Sequence, residues 1–295
     1  MTEFFDEARD RAREDRLLSL LAESAPLSAR DASTLCWPES PGGESCAWYH
    51  GAWQYLRLCS LVSSPAWHRD FYDKALRKGY EAVRGGAPRV LVSGAADYSM
   101  LEQIWHSAGE PGAVDVTMID RCPTPVQACR WFAGRMAADI KAGAVDLFTH
   151  PMQDASFDVI ASDAFLTRFS SAQTAKVLEL WRALLAADGV VVTTVRLHGT
   201  DDLRADPAGD IADFVARACR NAQDLPKALA AEQGWIVRAA EAYARRMRSE
   251  DLGDEHAVME AFAEGGFEVL THERAEVQGE LYPVSYLRVE AKRLR

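Results

Sequence analysis

From residue 89 onward, short apolar runs alternate with segments in which apolar residues recur at helical spacing. The runs predict strands, and the spaced segments predict amphipathic helices. The predicted strands cover residues 89–97, 113–120, 144–150, 157–165, 190–197, 267–277 and 285–293. The predicted helices cover residues 98–109, 124–136, 170–189 and 257–266. Because right-handed crossovers place a helix between neighbouring parallel strands, the pattern predicts an α/β fold with a parallel sheet covered on both faces.

The clearest helical pattern covers residues 170–189. Ser170 and Gln173 have capping-box spacing, and Gly189 stands where a left-handed helix terminator is common. One apolar face comprises Val177, Leu178, Trp181, Leu184 and Leu185.

The N-terminal part of the chain has a different pattern. Residues 3–24 predict a charged helix, and the proline- and glycine-rich stretch Ala25–Ser45 predicts a loop or hinge. Residues 46–80 predict two helices rich in Trp and Tyr, separated at Ser63-Ser64-Pro65.

A chain of 295 residues can bury a full core. We predict an N-terminal helical region over 1–87 that covers the binding site, and a core over 88–295. Within the core, residues 201–257 predict a helical insert that precedes the last two strands.

Charge and hydropathy narrow the range of partners. The net charge of −11 disfavours binding to a phosphate backbone, so no nucleic acid is expected as a partner. The chain starts without the basic and then apolar order of a secretory signal, and no apolar run reaches the roughly 18 residues of a membrane span. We therefore predict a cytoplasmic protein that does not bind membranes.

The cysteines are scattered along the chain without a C-x-x-C pair or clustered histidines. This spacing favours ordinary thiols, so neither a disulfide framework nor a metal site is expected. The six cysteines are Cys36, Cys46, Cys59, Cys122, Cys129 and Cys219.

Gly94 follows the first predicted core strand, Asp120 ends the second, and a helix with two closing strands completes the pattern. Over residues 88–294 this order resembles the class I S-adenosylmethionine-dependent methyltransferase superfamily. The resemblance implies a Rossmann-like sheet of seven mostly parallel strands and S-adenosylmethionine as the cofactor.

The resemblance implies that the turn after the first strand carries the cofactor. Small side chains there let the backbone approach a ligand, although a tight turn without a ligand is the alternative. Compared with the family's first motif, only the leading glycine is kept: Val92 replaces the usual acid, and Ala96 and Tyr98 replace the later glycines. The predicted contacts in this turn are Ser93, Gly94, Ala95, Ala96 and Asp97.

Asp120 occupies the position from which an acid binds both ribose hydroxyls, and Arg121 beside it belongs to the same predicted site. The alternative is that Asp120 only favours the dipole of the following helix. An acid here would also suit a nicotinamide dinucleotide, but no G-x-G-x-x-G motif occurs near Gly94 to hold a pyrophosphate.

Two further strand ends complete the implied cofactor site. Thr149, His150 and Met152 follow the third strand, where the family contacts adenine, although a loop histidine is also commonly a solvated side chain. Ser162, Asp163 and Phe165 lie at the end of the fourth strand, beside the transferred group; capping of the next helix is the alternative role. The family's Asn/Asp-Pro-Pro-Tyr signature is missing, which argues against methylation of a base.

Candidates for a general base are His50, Tyr49, Asp163 and His198, although each histidine also suits a structural or surface role. Arg196 is a candidate for binding a substrate carboxylate.

Trp53 is the second candidate for substrate binding, and it lies in an aromatic helix that could cover the site as a lid. Aromatic stripes at helical spacing are also typical of core packing.

The predicted function is methyl transfer to a small molecule, such as an amino acid or a specialised metabolite. One alternative is ring closure of the cofactor's aminobutyl chain with release of methylthioadenosine, as in azetidine-2-carboxylate synthases. Another is a non-catalytic binding subunit. A homodimer is an assembly that the sequence leaves open.

Overall fold

The structure is a computed structural model that describes residues 2–36, 44–150, 152–197, 207–248, 250, 252–277, 280–281 and 284–294. It divides into two compact units. The helical unit comprises Met1–Val62 and Ala208–Arg246, and the sheet unit comprises Ser63–Pro207 and Met247–Arg295. The predicted boundary near residue 87 differs from this division.

The sheet unit contains seven strands in the order β3-β2-β1-β4-β5-β7-β6. The strands β1 to β5 are parallel, and β7 is antiparallel to both of its neighbours. The predicted Rossmann-like sheet of seven mostly parallel strands is confirmed. The strands are β1 (Arg89–Ser93), β2 (Asp115–Asp120), β3 (Lys141–Ala144), β4 (Phe157–Asp163), β5 (Leu185–Leu197), β6 (Phe267–Val277) and β7 (Val284–Arg293).

The α-helices flank the sheet or form the helical unit. They are α1 (Thr2–Leu35), α2 (Ala47–Leu58), α3 (Arg69–Glu81), α4 (Ser99–Ala108), α5 (Pro123–Arg135), α6 (Ser171–Leu184), α7 (Pro207–Gln223), α8 (Gln233–Arg246) and α9 (Glu255–Glu264). Among the described residues, none of the helices is long and apolar enough for a bilayer crossing.

The core of the sheet unit lies between the central strands and α6. Leu91, Ile160 and Val191 are fully buried on three adjacent strands, and Trp181 of α6 packs in the same cluster. The Trp181 indole donates a hydrogen bond of 2.9 Å to Ser93 Oγ. The predicted apolar face of α6 therefore points into the core.

The start of α6 is confirmed, but its predicted end is wrong. Ser170 and Gln173 form a capping box. The helix stops at Leu184 rather than at Gly189, because Leu185 is fully buried in extended conformation and pairs with Phe157 of β4. Gly189 lies in the irregular part of β5 that precedes regular pairing.

The third strand lies earlier than predicted. It covers Lys141–Ala144, not residues 144–150, and pairs with the end of β2. Its sequence, KAGA, has no apolar run because this edge strand is only half-buried. The apolar residues that suggested a strand belong to the following turns, where Leu147 is buried.

The predicted loop over Ala25–Ser45 is wrong for its first eleven residues. The helix α1 continues through Pro26 to Leu35. Ala25, Ser28 and Ala32 form a buried stripe at helical spacing, so tertiary packing outweighs the proline. Ala32 also packs close to Gly51 of α2.

Candidate functional site

The turn after β1 and the end of β2 converge. We call the backbone groups and carboxylate there, from Gly94, Ala95, Asp120 and Cys122, the β1–β2 edge. The Gly94 amide donates to the Ile119 carbonyl at 2.9 Å. The Asp120 carboxylate accepts two hydrogen bonds, from the Ala95 amide at 3.1 Å and from the Cys122 amide at 2.7 Å. Backbone donors thus fix the position of this acid.

Glycine is required at position 94 for two reasons. Its φ of +74° lies in the left-handed region, and a Cβ there would be only 2.2 Å from the Phe165 ring. That ring also packs against Phe169, with centroids 4.8 Å apart. An aromatic side chain therefore lines the turn.

The side chains on either side of this turn point into the core. Ser93 Oγ, fully buried, accepts from Trp181, and Asp97, which is 1% exposed, accepts from the Ser99 amide at 2.9 Å. Tyr98 stacks on Phe132 at 4.4 Å. Ala96, like Ala95, is half-buried.

The predicted adenine contacts follow β3. The Val145 amide donates to the Asp120 carbonyl at 2.8 Å, which joins this segment to the end of β2. Thr149 and His150 are exposed and contact each other through Oγ1 and Nδ1 at 3.0 Å. Met152 is half-buried against the core, and Arg121 is exposed.

A second polar edge lies at the ends of β4 and β5. We call Tyr72, Asp163, Ala164 and Thr194 the β4–β5 edge. Asp163 Oδ1 lies 2.7 Å from Thr194 Oγ1 and 2.9 Å from the Tyr72 hydroxyl. The same hydroxyl lies 2.7 Å from the Ser162 carbonyl, and the Ala164 amide donates to Thr194 Oγ1 at 3.0 Å. Side-chain hydroxyls thus hold this second acid.

Burial, and then the nearby Asp163 charge, raise the pKa of Tyr72 well above its usual range. The phenol therefore keeps its proton and acts as a donor at neutral pH. The Ser162 hydroxyl is fully buried and lies 2.8 Å from the Thr193 hydroxyl within the sheet. Ser162 thus contributes its carbonyl to this edge.

Arg196 is buried on β5, and its guanidinium faces Glu280 at 3.5 Å. Glu280 also accepts from the Tyr286 hydroxyl at 3.0 Å and from the Ser63 amide at 2.9 Å. Arg196 was predicted to bind a substrate carboxylate. In this structure its carboxylate partner is Glu280 of the chain itself.

His68 was not among the site residues predicted from the sequence. It is 1% exposed, and its Nδ1 accepts from Arg288 Nε at 3.1 Å. Burial, followed by the Arg288 charge, lowers the pKa of His68 to about 4. The ring is thus neutral with its proton on Nε2, and within the described residues this buried Nε2 has no hydrogen-bond partner. Nothing in its local sequence distinguishes it from a surface histidine.

His50, Tyr49 and Trp53 belong to the helical unit. Tyr49 lies 5.1 Å from Trp53 and stacks on Tyr243 at 6.2 Å, measured between ring centroids. His50 Nδ1 lies 3.5 Å from Cys36 Sγ. The predicted base His198 lies outside the described residues.

No family model matches the chain, and no curated protein matches it. Solved structures of similar fold include the N-methyltransferase NodS from Bradyrhizobium japonicum, at 15% identity over 83% of this chain and 99% of that chain, with a TM-score of 0.49. A SAM-dependent methyltransferase from Methanosarcina mazei is 12% identical over 72% of this chain and 94% of that chain, with a TM-score of 0.49. The 1,6-didemethyltoxoflavin-N1-methyltransferase of Burkholderia thailandensis is 15% identical over 79% of this chain and 92% of that chain, with a TM-score of 0.46. These identities and TM-scores are low. We therefore assign the architecture from the strand order and register of this chain itself.

Proposed function

We propose that this chain binds S-adenosylmethionine at the carboxyl edge of its sheet and transfers the methyl group to a small molecule. The observation that carries the proposal is the meeting of the Gly94 turn with the Asp120 carboxylate, through the 3.1 Å bond from the Ala95 amide. In open α/β sheets, ligands bind beyond the carboxyl ends of the strands, where the strand order reverses. In this sheet the order reverses between β1 and β4.

Asp120 suits a ribose. A carboxylate can accept several hydrogen bonds at once, and the amides of Ala95 and Cys122 are two of the donors to Asp120. Because these contacts also fix the carboxylate, little side-chain entropy would be lost when two hydroxyls bind. The exposed Thr149 and His150 pair and the half-buried Met152 follow the neighbouring strand and are the proposed adenine contacts.

The methionine end of the cofactor would meet Asp163, which ends β4, and Phe165, which follows it. An aromatic ring attracts a cation by about 0.5–2 kcal/mol, and a sulfonium is such a cation. Asp163 would accept a hydrogen bond from an amino group. The residues present thus fit the three parts of the cofactor: a carboxylate for the ribose, an aromatic ring for the sulfur and a second carboxylate for the amine.

When bound, the cofactor supplies a methyl group that its positive sulfur already activates, so proximity and orientation are the main contributions required of the chain. Tyr72 keeps its proton because its pKa is raised, and His68 Nδ1 is occupied by Arg288. On the β4–β5 edge, Asp163 is therefore the group that would accept the hydrogen bond from the cofactor's amino group, and Tyr72 and Thr194 orient it.

The binding step is tested by calorimetry with S-adenosylmethionine and with S-adenosylhomocysteine. Asp120→Asn should weaken binding at least about tenfold, or roughly 1.4 kcal/mol. The matched control is Asp115→Asn, at the other end of the same strand, where the exposed carboxylate pairs with Lys141 at 3.0 Å. Equal affinities for the two variants would refute the ribose assignment.

The reaction is tested by mass spectrometry. Incubation with the cofactor and a mixture of small amines and hydroxy acids should give S-adenosylhomocysteine and a product heavier by one methylene. Methylthioadenosine formed from the cofactor alone would contradict methyl transfer and favour ring closure. Absence of calorimetric binding would instead favour a non-catalytic subunit.

A further inference from the structure

Three side chains that commonly bind transition metals lie together in the helical unit. Cys36 directly follows α1, Cys46 is the N-cap of α2, and His50 lies in the first turn of α2. Their ligand atoms all lie within 4.8 Å of one another.

The backbone holds these residues in place. Cys46 and His50 are four residues apart at the start of α2, which puts both on one face of the helix. The amide of His50 donates to the Cys46 carbonyl at 3.1 Å. Ser45 connects the second segment to the first, because its hydroxyl donates to the Cys36 carbonyl at 3.1 Å and accepts from the Ala47 amide at 3.2 Å.

The distance between the first and the last of these ligand atoms matches a tetrahedral metal ion. Zinc binds sulfur at about 2.3 Å and imidazole nitrogen at about 2.0–2.1 Å, so two such ligands at the tetrahedral angle are about 3.6 Å apart. The observed distance between Cys36 Sγ and His50 Nδ1 is 3.5 Å. The thiol and the imidazole are therefore already as close as a shared ion requires.

The chemistry of the donors also favours zinc. Two thiolates and one imidazole are borderline-soft ligands that suit zinc and disfavour magnesium or calcium. Two thiolates would neutralise a divalent cation, which matters because His50 is only 7% exposed. We propose that Cys36, Cys46 and His50 bind one zinc ion in the helical unit, with a fourth coordination position for a further donor.

Such an ion would connect the end of α1 to the start of α2. Because the ligands come together only in the folded chain, the free energy of metal binding contributes to the stability of the helical unit. The spacing C-x9-C-x3-H differs from the short paired-cysteine motifs of common zinc sites, which is why the sequence led us to expect no metal. The continuation of α1 to Leu35 is the feature that brings Cys36 to His50.

The test measures metal in the full chain, purified without chelators and without an affinity tag. The protein should contain roughly one zinc per chain by elemental mass spectrometry. After removal of zinc and addition of cobalt, the wild type should show thiolate-to-cobalt charge-transfer absorption and intense visible bands typical of tetrahedral coordination. The cobalt spectrum needs no variant, so it remains informative if a substitution impairs folding.

Variants identify the ligands. Cys36→Ser, Cys46→Ser and His50→Ala should each weaken zinc binding about a hundredfold or more, because loss of even an outer-shell partner typically costs about 10–100-fold. The matched control is Cys219→Ser, which removes an exposed cysteine of the same unit and should leave zinc binding unchanged. Circular dichroism confirms that each variant is folded.

Two outcomes would overturn the proposal. The first is a reduced wild type that takes up neither zinc nor cobalt, which would leave a thiol–imidazole hydrogen bond as the explanation of the 3.5 Å contact. The second is metal uptake that all four variants retain, which would place the metal elsewhere. A disulfide between Cys36 and Cys46 in protein that binds no metal after reduction belongs to the first outcome.

Discussion

The two acidic strand ends of the sheet are held in different ways. At the β1–β2 edge, Asp120 accepts hydrogen bonds from the backbone amides of Ala95 and Cys122. At the β4–β5 edge, Asp163 is surrounded by the hydroxyls of Tyr72 and Thr194. Backbone donors are present whatever the side chains are, so the shape of the first edge depends on the conformation of the turn. The second edge depends on side chains from α3 and β5, which single substitutions can change.

Under the proposed function, this difference would divide the two edges between binding of the cofactor and the chemical step. The β1–β2 edge suits a part of the ligand that stays constant, such as a nucleoside. The pKa of Tyr72 in the β4–β5 edge is raised, and that of His68, whose ring centroid lies 6.5 Å from that of Tyr72, is lowered. Such groups are typical of positions where a reacting group is bound.

The largest expected effect comes from breaking the turn of the β1–β2 edge. Gly94→Ala should lower the free energy of unfolding by about 3 kcal/mol, because it adds left-handed strain of about 1–2 kcal/mol and overpacking of about 1–3 kcal/mol against Phe165. The matched control is Gly112→Ala, where a Cβ would meet nothing within 4 Å. Urea denaturation measures the free energy of unfolding of both variants. Equal stability of the two variants would show that the turn tolerates a side chain.

The next effect comes from His68, which packs beside Tyr72 of the β4–β5 edge at 6.5 Å between ring centroids. Its pKa is lowered from 6.5 to about 4 in the folded chain. Between these values the unfolded chain binds more protons than the folded chain, so the free energy of unfolding decreases as the pH falls. From pH about 6.5 to about 5 the loss should be about 1.6 kcal/mol, because the slope increases from about half of its limit of roughly 1.4 kcal/mol per pH unit at pH 6.5 to nearly the full value at pH 5.

Thermal denaturation across this pH range measures the loss. In His68→Asn the slope should be smaller, because the amide oxygen replaces Nδ1 as the acceptor and does not titrate. His256→Asn, which changes an exposed histidine of α9, should keep the wild-type slope. A wild-type slope in His68→Asn would mean that His68 is not held neutral.

The smallest expected effect comes from removing the Tyr72 hydroxyl, which tests how far side-chain hydroxyls hold the β4–β5 edge together. Tyr72→Phe should cost about 1 kcal/mol of unfolding free energy, the net value of a typical hydrogen bond. Thr194 still contacts Asp163, so the edge should remain intact. Tyr80→Phe on the same helix is the control, since its hydroxyl makes only a long contact of 3.4 Å with the Ile104 carbonyl. A loss at Tyr72 no larger than that at Tyr80 would argue against an organised β4–β5 edge.

Much of the sheet unit could be predicted from the sequence, because its central strands are continuous apolar runs. The runs that form β1, β2, β4 and β5 are buried on both faces. They are therefore continuous in apolar residues, without alternating polar positions, and are easy to recognise. The edge strand β3 could not be predicted, because KAGA is stabilised by pairing with β2 rather than by its own side chains. The continuation of α1 through Pro26 was missed for a similar reason, because tertiary packing of its buried residues, and not the local sequence, keeps this segment helical.

The same distinction applies to the site. The positions of Asp120 and Asp163 at strand ends could be predicted, because each directly follows the apolar run that forms its strand. Tyr72 and His68 could not, because α3 and its preceding turn reach the strand ends only in three dimensions. The contact of Cys36 with His50 likewise depends on where α1 ends. The local sequence pattern predicted a loop from Ala25, whereas the helix continues to Leu35.

The position of β7 between β5 and β6 bears on how the chain is made. The strand β5 pairs with β7, which is synthesised only after α7, α8, α9 and β6 have left the ribosome. Until then a nascent chain carries the apolar edge of β5 without its neighbour, and such edges pair readily with other chains. A premature stop before residue 284 should therefore yield aggregates rather than a shorter folded protein, and molecular chaperones that shield this edge during translation should raise the yield of the full-length chain.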